Sequence, residues 1–413
     1  MARRTPLSRR TCAATLVIAI SALFGVFVAT APAQARELPR PGVDRYTPLV
    51  QRVHSTPRWF RGTDGLIHIA YDLMLTNGFP VPVTLESVTV RRAGRRGGTL
   101  EQLSGSELEA AMSLLAPSTD PTTTVPSSGI GVVWFEIVLP RGTRLPRAIR
   151  HTLTVSLPPG LPVPSQITYT GALARVDQRP PTVLGPPLRG PGWIALGSCC
   201  DGPHRRALQP VNGKLINGQE FAVDWNGSDS QGRLVVGDPS VNTNWVFFGK
   251  PVLAVTDGRV VAAVDRYQDQ IPNNPGPVTL KSADGNHVIL RIGRGHYVGY
   301  AHLRRGSVRV RRGQRVRRGQ VIGELGNSGS SSGPHLHMQV MNGPSIVFSD
   351  GLPFAFDRFE LTGKVPSLSN ELLEAINAGQ SIPIDTTGAG PRRRELPVGR
   401  DVVRFPSARP LGL

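Results

Sequence analysis

Gly333-Pro334-His335-Leu336-His337-Met338-Gln339-Val340 is the stretch whose reading decides the fold. Polar and apolar residues alternate through it, which is the pattern of a β-strand, where residues i and i+2 share one face. His335 and His337 therefore point the same way, and Leu336 points into a core. Two imidazoles converging on one face suit a metal ligand beside a proton-transfer group. An isolated His-x-His pair fits two exposed surface histidines equally well, so the neighbouring chain has to decide.

Upstream lie two further chemistry-bearing stretches. Tyr300-Ala301-His302-Leu303 closes a strand. Glu220-Phe221-Ala222-Val223-Asp224-Trp225 places two carboxylates on one face of another. In a straight strand these carboxylates stand about 13 Å apart, so sharing one ion requires a bend. The surrounding chain is rich in β-branched runs (252–255, 259–264, 287–292) bounded by Gly, Asn and Pro, which read as strands. Arg311-Arg312-Gly313-Gln314 and Arg317-Arg318-Gly319-Gln320 read as turns where glycine supplies positive φ.

Taken in order, these motifs resemble the LytM/lysostaphin type of zinc metallopeptidase, peptidase family M23. That family carries a His-x-x-x-Asp motif, then a Tyr-Ala-His-Leu-like strand, then Gly-Pro-His-Leu-His. Asp257-Gly258-Arg259-Val260, Asp284-Gly285-Asn286 and Gly319-Gln320-Val321-Ile322-Gly323 fill the intervals in the same order. The resemblance spans about Leu196 to Val340 and implies one zinc ion, with Asp224 and His337 as ligands. It further implies that His335 is the catalytic base and that His302 steadies the transition state. The implied activity is hydrolysis of peptidoglycan peptides.

The sequence departs from the family where the first ligand should be, because Glu220 stands four residues before Asp224. Glu220 can itself ligate zinc, since carboxylates do so. His204, Cys199 or Cys200 can substitute for it. Alternatively the site is degenerate, and the domain binds the cell wall or regulates another hydrolase without cutting. Cys199 and Cys200 are themselves open to three readings: a vicinal disulfide, pairing between chains, or free thiols.

The fold class expected is all-β. Residues 59–178 read as an immunoglobulin-like antiparallel sandwich, from alternating runs at 66–75, 81–90, 132–139 and 153–157 with no helical crossover. Residues 194–361 read as the LytM-type domain. Residues 36–58 and the Pro/Gly-rich 179–193 read as linkers, and 362–413 as a partly disordered extension.

Composition supplies the setting. The 413 residues carry a formal charge of +18, almost all of it arginine, with only 3 Cys. A surplus of this size favours an anionic partner, and so few cysteines exclude a disulfide-stapled scaffold. Residues 1–35 combine an Arg-rich start, an uncharged apolar run from 12 to 31 and a small-residue exit at Ala33-Gln34-Ala35. Those are the three parts of a secretory signal, and export counts against nucleic acid as the partner. Arg304, Arg305, Arg309, Arg311, Arg312, Arg315, Arg317 and Arg318 lie between two of the motifs. They read as a solvated hairpin face or as a docking surface for anionic wall polymers.

Overall fold

In this computed structural model, residues 44–94, 97–116, 120–200 and 202–407 are described. The expected signal segment at 1–35 lies outside the described residues. Among those described, no helix is long and apolar enough to cross a membrane.

The chain is built almost wholly from antiparallel strands, as its alternating pattern requires. Residues 49–175 make two five-stranded sheets. The long strands Ile67–Asn77 and Ile130–Leu139 pair in one; Val83–Arg92 and Ala148–Ser156 pair in the other. Tyr71, Leu73, Phe135 and Ile137 from the first sheet share a buried core with Leu85, Val88, Leu153 and Val155 from the second. This is sandwich packing. A short helix, Gly105–Ala111, ends where Met112–Leu114 pairs with Ile130–Leu139.

The second layer system centres on an eleven-stranded sheet. Its middle strands are Asn286–Arg291, Tyr297–Leu303, Leu336–Met341, Val223–Gly227 and Gly190–Leu196, hydrogen-bonded in that order. Register sets Asp224 directly opposite His337, and Ala301 opposite His337 on the other side. Alternation then sends Trp225 to the face opposite Asp224. There it is fully buried against Phe356 and Phe405, with ring centroids 5.7 and 5.2 Å away. A packed aromatic face of this kind fixes the strand that carries the carboxylate.

Three expectations of loose chain are corrected. Leu49–Val53, inside the expected linker 36–58, pairs with Ile67–Asn77. Thr182–Leu184, inside the expected linker 179–193, pairs with Phe354–Phe356, and Gly190–Leu196, which begins in that linker, pairs with Val223–Gly227. The expected loose extension from 362 includes Asp401–Phe405, which joins the central sheet between Gly190–Leu196 and Phe359–Lys364. The physical reason is the same in each case: Pro, Gly and Arg around a short apolar run mask it, yet Leu49, Leu184 and Phe405 are buried. The described residues from 46 to 407 accordingly form one compact unit.

Candidate metal centre

The sheet brings Asp224, His302, His335 and His337 together, and a loop adds His204. His337 Nδ1 lies 2.9 Å from Asp224 Oδ1. His335 Nε2 lies 3.5 Å from the same oxygen. His204 Nε2 lies 3.2 Å from Asp224 Oδ2. The His302 ring stands 4.7 Å from that of His335 and 5.9 Å from that of His337, centroid to centroid.

Each imidazole is held from behind. The ring nitrogen turned away from the centre meets an acceptor in every case: His204 Nδ1 meets Gly197 O at 3.1 Å, and His302 Nδ1 meets Ser328 O at 2.7 Å. His335 Nδ1 meets Gly333 O at 2.9 Å, and His337 Nε2 meets Gln339 Oε1 at 2.8 Å. Carbonyl oxygens only accept, so each of these nitrogens carries the proton. The inward nitrogens of the neutral rings are then bare lone pairs. Four lone pairs and a carboxylate facing one another, with no donor among them, make a centre that fits a cation. Two sets of three have all their ligand atoms within 4.8 Å of one another, His204/Asp224/His337 and His302/His335/His337.

Electrostatics agree with this assignment for His302 and His335, whereas His204 and Asp224 attract a proton between them. Burial alone would raise the Asp224 carboxyl, but His204 and His335 outweigh it and hold Asp224 well below the usual carboxylate range. Burial lowers His335. Burial, with His335 and His337 beside it, drives His302 well below the ordinary imidazole value. Burial also opposes the charged form of His204, yet Asp224 wins and raises it.

Local chain geometry explains how each side chain arrives. His302 sits at φ 59°, where the register with Asn286–Arg291 shifts between Asn286 and Val288. A bulge re-aims the side chain out of strand alternation. Its backbone N–H donates to Asp284 O at 3.1 Å. Gly285 and Gly329, both at positive φ, let the 284–286 and 326–329 turns meet backbone to backbone, bringing Ser328 O to His302. Gly197 does the same for His204, since a Cβ there would stand 2.6 Å from Nδ1.

Glu220 is not part of this centre. The chain turns at 218–221, with Ala222 N–H donating to Gln219 O at 2.8 Å, and the strand begins only at Val223. The carboxyl is thereby sent into the contact with the N-terminal sandwich. Glu220 is only 2% exposed, and Oε1 has no hydrogen-bond partner. Burial, then the nearby Asp72, pushes its pKa up to about 8 against the opposing charges of Arg205 and Arg58. Cys199 and Cys200 are bonded to each other, so neither offers a thiolate. Of the three substitutes weighed from the sequence, His204 is the one the fold brings to Asp224.

His204 is delivered by a short turn, Pro203–Arg206. The next residue, Arg205, is buried and donates from Nη2 to Tyr71 O at 3.1 Å and to Phe135 O. Both carbonyls belong to the N-terminal sandwich, which thus anchors the ligand-bearing turn.

The transition-state role that resemblance gives His302 meets a constraint here. A neutral ring whose Nδ1 holds the proton presents an acceptor, and steadying an oxyanion first requires a proton on Nε2. The arginine run is also dispersed. Arg304 and Arg309 both pair with Glu324, and Arg318 pairs with Asp357. Arg305, Arg311, Arg312, Arg315 and Arg317 are exposed. Arg315–Val316 is the edge strand, four strands from that of His337, or roughly 19 Å at about 4.8 Å per strand. The run therefore leads away from the centre rather than lining it.

Gln339 and Ser328 escaped sequence reading. Gln339 was findable, because it follows His337 by two and so shares its face. The Ser328 carbonyl left no side-chain signal.

Residues 245–347 match the model of peptidase family M23. Among curated proteins, the chain is 42% identical over 57 residues to the peptidoglycan DD-endopeptidase ShyA of Vibrio cholerae, covering 14% of this chain and 13% of that one. It is 36% identical over 109 residues to the glycyl-glycine endopeptidase ALE-1 of Staphylococcus capitis, covering 26% of each. It is 34% identical over 184 residues to an uncharacterized metalloprotease of Haemophilus influenzae, covering 40% of this chain and 35% of that one. The chain thus spans about a third or less of the length of these relatives. Among solved structures, the lysostaphin catalytic domain of Staphylococcus simulans is similar at 27% identity, over 30% of this chain and 86% of that one, with a TM-score of 0.20.

Proposed function

With residues 245–347 belonging to peptidase family M23, we propose that this chain is an exported zinc metalloendopeptidase that hydrolyses peptide bonds of bacterial cell-wall peptidoglycan. The observation that carries the reading is the convergence of four bare imidazole nitrogens on the ionised Asp224. The names of the relatives, which are peptidoglycan and glycyl-glycine endopeptidases, support the substrate class. The apolar run at 12–31 supports export.

His204 Nε2, Asp224 and His337 Nδ1 would hold the ion, a set of two imidazoles and one carboxylate of the kind catalytic zinc sites use. Zinc bound there supplies a Lewis acid for the scissile carbonyl and lowers the pKa of a water towards about 7. His335, kept neutral by burial, takes a proton at Nε2 from the attacking water. The resulting imidazolium returns that proton to the departing amine nitrogen. His302 Nε2 accepts a hydrogen bond from the same water and orients it. Gly333, Ser328 and Gln339 hold the rings in the required tautomers throughout. Anionic wall polymers are the proposed partners, met by the exposed arginines.

The test is zinc content of the purified chain by mass spectrometry, followed by release of new amines from isolated peptidoglycan. One zinc per chain and cleavage that is lost in both His204→Ala and His335→Ala are expected, with zinc lost only in the first. A zinc-free chain that binds wall without cutting it would establish a binding or regulatory module instead.

A further inference from the structure

A cavity of about 560 Å³, sharing no lining residue with the histidine cluster, opens where the sandwich meets the large sheet. Six separate pieces of chain line it, of which four supply the aromatic, proline and arginine side chains. The strand Arg58–Arg61 contributes Trp59 and Arg61, which share one face while Phe60 packs inward. Pro180, Pro181 and Val183 form an apolar wall. The turn Gly293–Gly295 contributes Arg294, and the C-terminal segment contributes Arg394. Leu396 N–H, donating to Arg61 O at 2.8 Å, ties that last segment in place.

No carboxylate lines this cavity, and among the described residues none of the three guanidinium groups is ion-paired. Outside the lining, Asp177 is bonded by Arg179, and the buried Glu395 lies 3.5 Å from Arg392 Nε and also feels the charge of Arg61. Trp59 Nε1 and the Nε atoms of Arg58 and Arg61 are buried without a hydrogen-bond partner. An adjoining cleft adds Arg58, Arg179 and His296. Burial, with Arg179, Arg294 and Arg58 around it, lowers the His296 imidazole below its ordinary value, so the region carries a positive field.

The backbone also departs from its easy conformations here. Arg294 and Arg394 both occupy the left-handed region, at φ 62° and 53°. Left-handed conformation is costly for a side chain of this size and persists where surrounding structure imposes it. Both arginines line the cavity from these positions.

We propose that this cavity binds an anionic sugar unit. The CH face of the ring lies on Trp59 and the proline wall, and the acidic substituent lies on Arg61, Arg294 and Arg394. The cavity size falls within that of small-molecule sites. Arginine forks match phosphate and carboxylate bidentately, and an indole beside prolines matches the apolar face of a saccharide. Phosphate and carboxylate satisfy the guanidinium groups alike, so the shared chemistry is an anionic glycan residue.

The test uses the full chain and calorimetric titration with glucose 1-phosphate, glucuronic acid, glucose and inorganic phosphate. At least one of the two charged sugars is expected to bind tenfold or more tightly than glucose and than inorganic phosphate. The preferred sugar identifies the acidic group as phosphate or carboxylate. Arg294→Gly is expected to weaken that binding at least tenfold with folding and zinc content intact, because glycine adopts φ 62° without strain. Trp59→Leu should weaken the charged sugar and spare the residual phosphate binding. Equal binding in wild type and Arg294→Gly would overturn the proposal. So would inorganic phosphate binding as tightly as the preferred sugar, or no binding of any probe. A chain that loses zinc but keeps sugar binding would refute the hydrolase reading alone.

Discussion

Glu220→Gln separates the two meanings of the residue that replaces the family's first ligand. Glu220 is buried between Asp72, Arg205 and Arg58, with Asp350 the other charge acting on it, and its carboxyl titrates near 8 rather than near 4.5. Its raised pKa means that the native state holds a proton that the unfolded chain has released between those two values. The unfolded state therefore binds fewer protons, and stability falls as pH rises through the window. The stabilisation is complete below about pH 4.5 and is lost as pH climbs towards 8. Integrated from pH 5 to pH 8, the loss is about 3–4 kcal/mol, at about 1.4 kcal/mol per pH unit. Glutamine keeps the shape and cannot ionise. The difference in urea unfolding free energy between Glu220→Gln and wild type, both with chelator so that metal linkage does not enter, should move by about 3–4 kcal/mol in favour of the variant across that range. Zinc affinity by chelator competition should stay within about twofold of wild type, while His204→Ala loses about a hundredfold or more. A Glu220→Gln protein that loses zinc, or whose stability tracks wild type at every pH, would refute the placement of Glu220 outside the centre.

Two further outcomes follow from the geometry. Gln339→Leu removes the acceptor behind His337 Nε2 and should lower zinc affinity by about 10–100-fold, read by the same competition, with the fold intact by circular dichroism. Arg205→Ala leaves Tyr71 O and Phe135 O without their donor. It should cost about 2–4 kcal/mol in urea unfolding and weaken zinc binding through the loosened His204 turn, an effect that Arg205→Lys should only partly repair.

The His-x-His strand, the His302 strand and Asp224 were legible because each rests on local rules. Alternation places 335 and 337 on one face, and a Gly-bounded β-branched run is a strand whatever it packs on. The same rule puts Gln339 on the face of His337, although it was not among the sequence-derived candidates. What misled was the region around Glu220, where a uniform strand was read through 221–225. The turn at 218–221 depends on where the carboxyl is buried, and that burial is against a strand more than a hundred residues away. The C-terminal strand failed for a related reason: Asp401–Phe405 carries only a few apolar residues amid Arg and Pro, and it is stabilised by pairing with Gly190–Leu196 and by Phe405 packing on Trp225.

The sequence by itself therefore determined the all-β class and the ordered motifs of a family M23 segment, and it singled out Asp224, His302, His335 and His337, which the fold brings together. Only the tertiary structure brings His204 to Asp224. His204 lies 20 positions from Asp224, with no spacing rule to link them. It reaches the carboxylate because Gly197 leaves room for its ring and the buried Arg205 is bonded to the far sandwich. Coordination depends on distance in space, whereas sequence patterns report only which side of a local element a residue faces.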